Sequence, residues 1–564
     1  MNKTPLSEYP RPQLYRDSYL SLNGYWDYFI SENDELPTSY LGKILVPFSP
    51  ESPLSEVNRI VKPNEWLFYR LNFSLKDFVI KDKVILHFLG VDQIADVYLN
   101  GKHLGQHIGG FLPFEFDIRP YITADNNELI VKVKDFSDTS YYSRGKQKIN
   151  RGGIWYTPQS GIYLPVWLES VSSDYIQNIK FTPDIDKSEI IVNITSEAKE
   201  ATMHIFGMDR PIDTNKDVHI KVKDMHLWSN EDPYLYFVKV STDNDEITSY
   251  FAMRKFSLMK DEKGLTRIAL NNKPLFMKGV LDQGYYKDGL LTPPSYEDYV
   301  KDIELVKSLG FNMIRKHIKI EIPRWYFECD KRGIIVWQDF VNGGENYKFS
   351  TIAFPLITGI HHNDHNYKKF SRENEKGRKE ALKEFKDTIS YLYNSPCIAL
   401  WTIFNEGWGQ FDSKEIYEEL KTIDSTRLFD HASGWHDQGV SEVKSYHVYF
   451  KNFKIKKKDE RAIVLSEFGG FVYPIEGHKQ IGKKTYKSFS NEEEWLKRYK
   501  KSIEIDVLKN IPLGLSATVY TQLSDVEDEL NGFITYDREV IKVDPNKIKE
   551  INDQIKYKKD PTTR

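Results

Sequence analysis

The chain has 564 residues, too many for one compact core, and we expect about three to four domains. Hydrophobic residues make up 40% and charged residues 28%, as in globular proteins, and the net charge of −4 gives no electrostatic reason to bind nucleic acid. The first residues contain no apolar signal segment, and no later stretch is long enough to span a membrane, so we predict a cytoplasmic protein with no membrane partner.

Residues 1–172 have the pattern of an all-β unit. Short alternating runs, such as residues 84–88 and 129–133, are separated by turn residues. Asn100-Gly101 follows an apolar run, and both residues tolerate the positive φ angles of a type I′ hairpin. We predict a β-sandwich of the jelly-roll type.

Residues 173–259 contain a second set of short strands. The apolar runs are residues 190–192, 218–222 and 236–240. A segment of this length fits a small immunoglobulin-like β-sandwich.

From residue 260 to residue 564, apolar strands alternate with helical segments, which is typical of a parallel sheet with crossover helices. The first helix is predicted to begin after Ser295, with Asp298 completing a capping box, and to end at Gly310. Eight strands are predicted: Phe276–Val280, Asn312–Lys316, Ile334–Phe340, Ile398–Phe404, Leu428–His431, Ser445–Tyr449, Ile463–Ser466 and Leu515–Tyr520. Eight such strands indicate a (β/α)8 TIM barrel.

Two glutamates in the barrel region stand where active-site residues are expected. Active sites of TIM barrels lie at the carboxyl ends of the strands. Glu406 follows the fourth predicted strand and Glu467 follows the seventh. Either residue alone would fit a helix cap or an ion pair, but a pair of carboxylates across a barrel mouth is what cleavage of a glycosidic bond requires.

Several separate stretches match one enzyme family in order and in spacing. They are Leu22–Trp26, Gly161–Glu169, Leu227–Tyr236, Leu305–Arg315, Cys329–Ile334 and Asn405-Glu406. On these stretches the chain resembles glycoside hydrolase family 2, the β-galactosidases, β-glucuronidases and β-mannosidases, across nearly its whole length.

The resemblance implies a role for five residues. Glu406 corresponds to the acid/base, and Asn405 beside it to the residue that binds the sugar 2-hydroxyl. Glu467 corresponds to the nucleophile and Tyr446 to the tyrosine that orients it. Arg315 corresponds to the arginine that keeps the nucleophile ionised.

Four further residues are candidates for contact with the sugar. His317 follows the second strand, and Asp339 closes the third in a segment that resembles the β-mannosidases; a structural role is the alternative for each. Trp401 and Tyr520 are candidate stacking rings, although aromatic residues in strands belong more often to the core.

The segment after the first strand departs from the family. Residues 279–285 differ from the stretch that β-galactosidases and β-glucuronidases usually carry there. We therefore expect a rebuilt sugar subsite in which Asp282 and Gln283 are candidates for recognition, with a structural role as the alternative.

No metal or cofactor is expected. The cluster His361–His365 has the spacing of metal ligands, but we interpret it as a solvated loop because the reaction needs no metal. Cys329 and Cys397 both lie in apolar stretches and are predicted to be reduced core thiols.

These observations predict a retaining exo-glycosidase that releases a terminal β-linked hexose. A β-galactoside is the expected substrate and a β-mannoside the alternative, because the fourth-strand segment looks galactosidase-like and the third looks mannosidase-like. A carbohydrate-binding protein without turnover is the other alternative. The sequence does not determine the oligomeric state and is compatible with a homo-oligomer.

Glucuronides are not expected as substrates. Where family β-glucuronidases carry an Asn-x-Lys motif, this chain has Glu529-Leu530-Asn531, preceded by Asp525, Glu527 and Asp528. The acidic run is either part of the site or a solvated loop. Another cation, for example Lys316 or Lys319, would have to replace the missing lysine.

Overall fold

The computed structural model describes residues 4–478 and 487–557. Its buried apolar side chains form three clusters, and the largest includes residues of both sandwich regions, such as Trp167 and Trp228. Two are the interiors of β-sandwiches, and the third and largest lies in and around a parallel barrel. Within the described ranges, none of the helices combines the length and apolar character needed to cross a lipid bilayer.

The first sandwich contains two main antiparallel sheets, one in the order β1-β12-β5-β9 and the other in the order β3-β2-β4-β10-β7-β8. Asn100 and Gly101 have φ angles of 50° and 77° and join β7 to β8, as the hairpin signal predicted. The strands are β1 Tyr19–Ser21, β2 Gly24–Ser31, β3 Gly42–Val46, β4 Trp66–Phe73, β5 Lys83–Phe88, β6 Val91–Asp92, β7 Ile94–Leu99, β8 Lys102–Ile108, β9 Phe114–Asp117, β10 Asn127–Lys134, β11 Gly161–Ile162 and β12 Val166–Val171.

The second sandwich packs a three-stranded sheet, in the order β13-β14-β17, against a four-stranded one, in the order β16-β15-β18-β19. Burial alternates along β14 and β15, so each strand presents one apolar face to the shared core. The strands are β13 Asn178–Asp184, β14 Glu189–Thr195, β15 Glu200–Ile205, β16 Met208–Asp213, β17 Val218–Lys221, β18 Tyr236–Ser241 and β19 Glu246–Phe251.

A small sheet of β20 Phe256–Lys260, β21 Thr266–Leu270 and β22 Lys273–Pro274 leads into the barrel. All eight predicted barrel strands are present, within a few residues of their expected ends. They are β23 Met277–Asp282, β24 Met313–Lys316, β25 Ile335–Asp339, β26 Ile398–Thr402, β27 Leu428–Asp430, β28 Val443–Val448, β29 Ala462–Gly469 and β30 Leu515–Thr521. The expected fold class, two sandwiches followed by a TIM barrel, is confirmed.

The barrel strands pair in the order β27-β26-β25-β24-β23-β30-β29-β28, and the end strands β27 and β28 contact each other. The helices are α1 Tyr296–Ser308, α2 Pro323–Arg332, α3 Phe349–Ile352, α4 Phe354–Thr358, α5 Glu375–Leu392, α6 Ser413–Ile423, α7 Glu492–Ser502 and α8 Pro545–Asn552. Helix α1 begins as predicted, with Asp298 accepting a hydrogen bond from the Ser295 backbone N–H at 3.0 Å.

A hairpin-like segment of the first sandwich, residues 143–157, reaches the barrel mouth. The backbone N–H groups of Arg144 and Gly145 both donate to the Asn342 carbonyl at 3.0 Å, just after β25. On the other side, the Thr157 N–H donates to Glu527 at 3.1 Å. The first sandwich therefore supplies part of the wall around the carboxyl ends of the barrel strands.

Candidate active site

Glu406 and Glu467 meet at the carboxyl ends of the barrel strands. Glu406 lies in the loop after β26, and Glu467 lies within β29. One carboxylate oxygen from each residue and the Nδ1 atom of His447 all lie within 4.8 Å of one another. The fold thus brings the two predicted catalytic carboxylates together.

The loop that carries Glu406 is held in an unusual backbone conformation. Glu406 has a φ of 50° and is followed by Gly407 at 72° and Gly409 at 58°. A Cβ atom at Gly409 would lie 2.0 Å from a backbone oxygen, so this loop requires glycine there. The Glu406 N–H donates to the Ser433 carbonyl at 2.9 Å, and Trp435 Nε1 donates to the Glu406 carbonyl at 2.9 Å.

Glu467 is held as a carboxylate. Arg315 Nη1 donates to its Oε1 atom at 3.0 Å, and the Tyr449 hydroxyl donates to its Oε2 atom. Burial raises the pKa of Glu467, but the charges of His447 and Arg315 and the Tyr449 hydrogen bond outweigh it and lower the pKa to about 2. A buried, ionised carboxylate in this environment is suited to nucleophilic attack.

Arg315 connects several of the predicted residues. Its Nη2 atom donates to Asn405 Oδ1 at 2.8 Å, and its Nε atom donates to Asp339 Oδ1 at 2.9 Å. The other Asp339 oxygen lies 2.8 Å from His317 Nδ1. Arg315, Asn405, Asp339 and His317 therefore form one buried chain that ends at Glu467, and both Asp339 oxygens are engaged by the protein.

Glu406 has the opposite electrostatic environment. Burial and the nearby negative charge of Glu467 raise its pKa, against the lowering effect of a hydrogen bond with His447 at 2.9 Å. Two neighbouring carboxyl groups with pKa values pushed apart are the arrangement in which one acts as an acid while the other stays ionised.

Tyr446 does not lie at this site. Its ring packs against Phe453 at 5.3 Å, and the hydroxyl group that binds Glu467 belongs to Tyr449, three residues further along. The pairing of β28 with β29 shifts register between Tyr446 and His447, which changes the residues that face the carboxylates. The expectation for Tyr446 is corrected to Tyr449.

Asp282 and Gln283 have different surroundings. Asp282 is buried in an ion pair with Lys316 at 2.5 Å, which indicates a structural role. Gln283 donates to Gln522 at 2.8 Å, and Gln522 donates to Asn531 at 2.7 Å. In the part of the chain that the structure describes, Gln283 Oε1 and Asn531 Nδ2 have no hydrogen-bond partner, although both are buried.

Trp401 and Tyr520 are core residues. Trp401 is fully buried, stacks on Phe340 at 5.8 Å and donates through Nε1 to Asp424 at 2.9 Å, just beyond α6. The Tyr520 ring is fully buried among aromatic side chains that include Trp495 and Tyr499 of α7. Neither ring is available to stack on a sugar.

A cation from the first sandwich lies at the mouth. Lys146 is 6% exposed, and its Nζ atom lies 3.6 Å from Glu529, which also accepts a hydrogen bond from the Tyr156 hydroxyl. Lys146 is close enough to Glu406 to lower its pKa. Nothing in the sequence around Lys146 indicated this placement.

The acidic run is paired rather than solvated. Asp525 binds Lys542 at 2.7 Å, and Arg151 lies 3.2 Å from Glu527 and 3.5 Å from Asp528. The two lysines considered as substitutes for the missing lysine are also engaged elsewhere. Lys316 binds Asp282 and Glu321, and Lys319 binds Glu321.

The histidine cluster does not converge on one point. His361 Nδ1 accepts from the His436 N–H at 3.1 Å, whereas His365 is exposed and lies near Asp412 and Glu415. The side chains of His365, Asp412 and Glu415 lie close enough together to be metal ligands, but exposed acidic groups are common without a metal.

Comparisons with known proteins agree with this architecture. The chain matches "Glycosyl hydrolases family 2, sugar binding domain" over residues 51–170, "Glycosyl hydrolases family 2" over residues 196–254 and "Glycosyl hydrolases family 2, TIM barrel domain" over residues 262–540. Its described fold superposes on a GH2 β-galacturonidase from Eisenbergiella tayi with a TM-score of 0.71, 18% identity and coverage of 98% and 99% of the two chains.

Two relatives are similar in sequence. A β-galactosidase of Thermoanaerobacter pseudethanolicus is 25% identical over 74% of this chain and 55% of its own length. A putative β-glucuronidase of Formosa agariphila is 26% identical over 69% of this chain and 37% of its own length. The chain thus spans only part of these longer proteins. From its three matched segments and its fold, the chain belongs to glycoside hydrolase family 2.

Proposed function

We propose that this protein is a retaining exo-glycosidase that acts on a terminal β-linked hexose. The observation that carries the proposal is the buried carboxylate pair. One oxygen of Glu406 lies within 4.8 Å of one oxygen of Glu467, and the pKa values of the two groups are shifted in opposite directions. Such closeness fits a retaining enzyme, because an inverting enzyme keeps its carboxyl groups further apart to admit a water molecule.

In the proposed mechanism, Glu467 attacks the anomeric carbon while Glu406 gives its proton to the glycosidic oxygen, and the aglycone leaves as an alcohol. Glu406 then removes a proton from water, whose oxygen attacks the same carbon and releases Glu467 as a carboxylate. Arg315 keeps Glu467 ionised. Because Arg315 occupies the Asn405 oxygen, the amide N–H groups of Asn405 are left to donate to the sugar 2-hydroxyl.

An exo mode of action is supported by the wall that the first sandwich builds. Residues 143–157 lie between the loop after β25 and the segment 525–531, where Lys146 and Tyr156 contact Glu529. A wall on that side favours a pocket that accepts the end of a saccharide. Gln283 Oε1 and Asn531 Nδ2 supply an acceptor and a donor for its hydroxyl groups.

We propose a β-galactoside as the substrate and a β-mannoside as the second candidate. A curated relative named β-galactosidase favours the first. The second is favoured by the third-strand segment Trp337–Phe340. A panel of nitrophenyl glycosides of both sugars tests the proposal through kcat/KM, and absence of release from every sugar would instead support a carbohydrate-binding protein.

We expect the wild-type enzyme to discriminate against β-glucuronides. A substrate carboxylate near Lys146 would also meet Glu529, so the pair offers no net positive charge. Glu529→Gln removes that negative charge and should raise kcat/KM for nitrophenyl β-glucuronide relative to the neutral sugars by about tenfold, which corresponds to about 1.4 kcal/mol. Glu442→Gln serves as the control, because Glu442 precedes β28 at the end of the barrel opposite the site. A wild-type preference for glucuronide would contradict this expectation.

Two tyrosine variants test the correction from Tyr446 to Tyr449. Tyr449→Phe removes a hydrogen bond to a buried carboxylate and should lower kcat/KM about 10- to 100-fold, because hydrogen bonds to charged groups contribute about 1.5–3 kcal/mol. Tyr446→Phe, within β28 and three residues before Tyr449, is the matched control and should leave kcat/KM unchanged. The reverse pattern would return the role to Tyr446.

A further inference from the structure

His447 is a buried histidine to which the double-displacement scheme assigns no step. Its side chain is fully buried, and its Nδ1 atom lies 2.9 Å from Glu406 Oε1 and 3.6 Å from Glu467 Oε2. A single ring nitrogen therefore faces both carboxylates. Neither the family stretches nor the spacing of the sequence pointed to this residue.

The second ring nitrogen has a partner that restricts its protonation. His447 Nε2 lies 3.0 Å from Ser433 Oγ, and the Ser433 hydroxyl donates to Ser466 Oγ at 3.0 Å. Because that bond uses the only hydroxyl proton of Ser433, Ser433 is left to accept from Nε2–H. On the other side, Nδ1 must carry a hydrogen to bond Glu406, 2.9 Å away, once Glu406 has given up its proton. In that state of the site the ring carries hydrogen on both nitrogens and is a cation beside both carboxylates.

The ring is also fixed in position by its neighbours. Gly434 has a φ of 97°, and a Cβ atom there would lie 2.9 Å from His447 Nδ1. Trp435 packs on the ring with a centroid distance of 5.6 Å and also holds the Glu406 carbonyl through its indole N–H. The loop after β27 thus aligns the histidine and the acid/base together.

We propose that His447 is a positioning residue that faces Glu406 and Glu467 with one N–H donor and sets the pH range in which the two carboxylates work. The inference rests on the proposed function. Its consequence follows from charge: a cation beside two carboxylates favours the ionised form of each. The other titratable groups that face this cluster are Arg315, His317, Tyr449, Lys146 and Asp430.

Removal of the His447 cation should move the low-pH limit and the high-pH limit of activity in the same direction. Activity at low pH is lost when Glu467 becomes protonated, and activity at high pH is lost when Glu406 gives up its proton. Without His447 each carboxylate binds its proton more tightly, so both limits move to higher pH. A neighbouring opposite charge shifts such values by about one to three pH units.

The test compares His447→Phe and His447→Gln with the wild-type chain. The low-pH limit is read from the rate of inactivation by a fluorinated dinitrophenyl glycoside, which needs no acid catalyst, and the high-pH limit from kcat/KM on an alkyl glycoside. We expect both limits to rise in both variants, with more of kcat retained by glutamine because its amide keeps a donor beside Glu406. Ser433→Ala, which keeps the ring, should give a smaller shift.

His431→Gln is the matched control, because His431 is a buried histidine at the end of the neighbouring strand that bonds to Ser441 rather than to the carboxylates. The low-pH and high-pH limits of the His431→Gln enzyme should stay at the wild-type values. A slower His447→Gln or Ser433→Ala enzyme with unshifted limits would show a purely structural role and overturn the inference alone. Absence of turnover by the wild-type chain would overturn the proposed function and this inference with it.

Discussion

Replacing Glu467 with alanine is expected to reduce turnover by a factor on the order of 10⁶, the scale seen when the nucleophile of a covalent mechanism is removed. The loss should be the same for poor and good leaving groups, because neither can be displaced without the attacking carboxylate. The measurement is kcat on an alkyl glycoside and on a dinitrophenyl glycoside of the same sugar.

Glu442→Ala is the matched control for this variant. Glu442 precedes β28 at the end of the barrel opposite the site and pairs there with Lys421 at 2.7 Å. It should retain wild-type kcat. Residual turnover of dinitrophenyl glycoside by Glu467→Ala near the wild-type rate would mean that another group attacks the anomeric carbon.

Replacing Glu406 with alanine is expected to have an effect that depends on the leaving group. Turnover of alkyl glycosides should fall about 10²- to 10⁴-fold, the usual contribution of a general acid. The first step on dinitrophenyl glycosides should be nearly unaffected, because that leaving group departs without a proton. Added azide should then accelerate turnover by attacking the glycosyl-enzyme in place of water.

The product of the azide reaction identifies the stereochemistry. A retaining enzyme should release the β-glycosyl azide, because two displacements restore the original configuration. The same experiment on Glu467→Ala should give no β-azide. If azide rescued the Glu467 variant with that product and not the Glu406 variant, the two roles would be reversed.

The sequence alone determined the sandwich and barrel architecture and predicted that Glu406 and Glu467, the proposed acid/base and nucleophile, lie at the barrel mouth. Alternating and continuous apolar runs predict strands from the local sequence. The end of each run gives the carboxyl end of its strand, where the active site of a barrel lies. For the same reason the sequence predicts that four further residues meet at one mouth, since each lies at a strand end or just beyond it: Arg315, Asn405, Asp339 and His317.

Only the tertiary structure decided which face of a strand carries a side chain. Parallel strands are buried on both sides, so a continuous apolar run does not distinguish inward from outward positions. Trp401 and Tyr520 were therefore candidate stacking rings for the sugar. Their rings instead lie between the barrel strands and the helices. The shift of register in β28 likewise placed Tyr449 and His447 at the carboxylates in place of Tyr446.

The tertiary structure also decided which distant segments meet. Lys146 and Glu529 are separated by most of the barrel in sequence, yet their side chains lie 3.6 Å apart because residues 143–157 fold over the barrel mouth. The charge of the sugar pocket depends on this contact between two domains. A sequence pattern reports local periodicity and strand ends, whereas contacts between domains arise only when their surfaces pack.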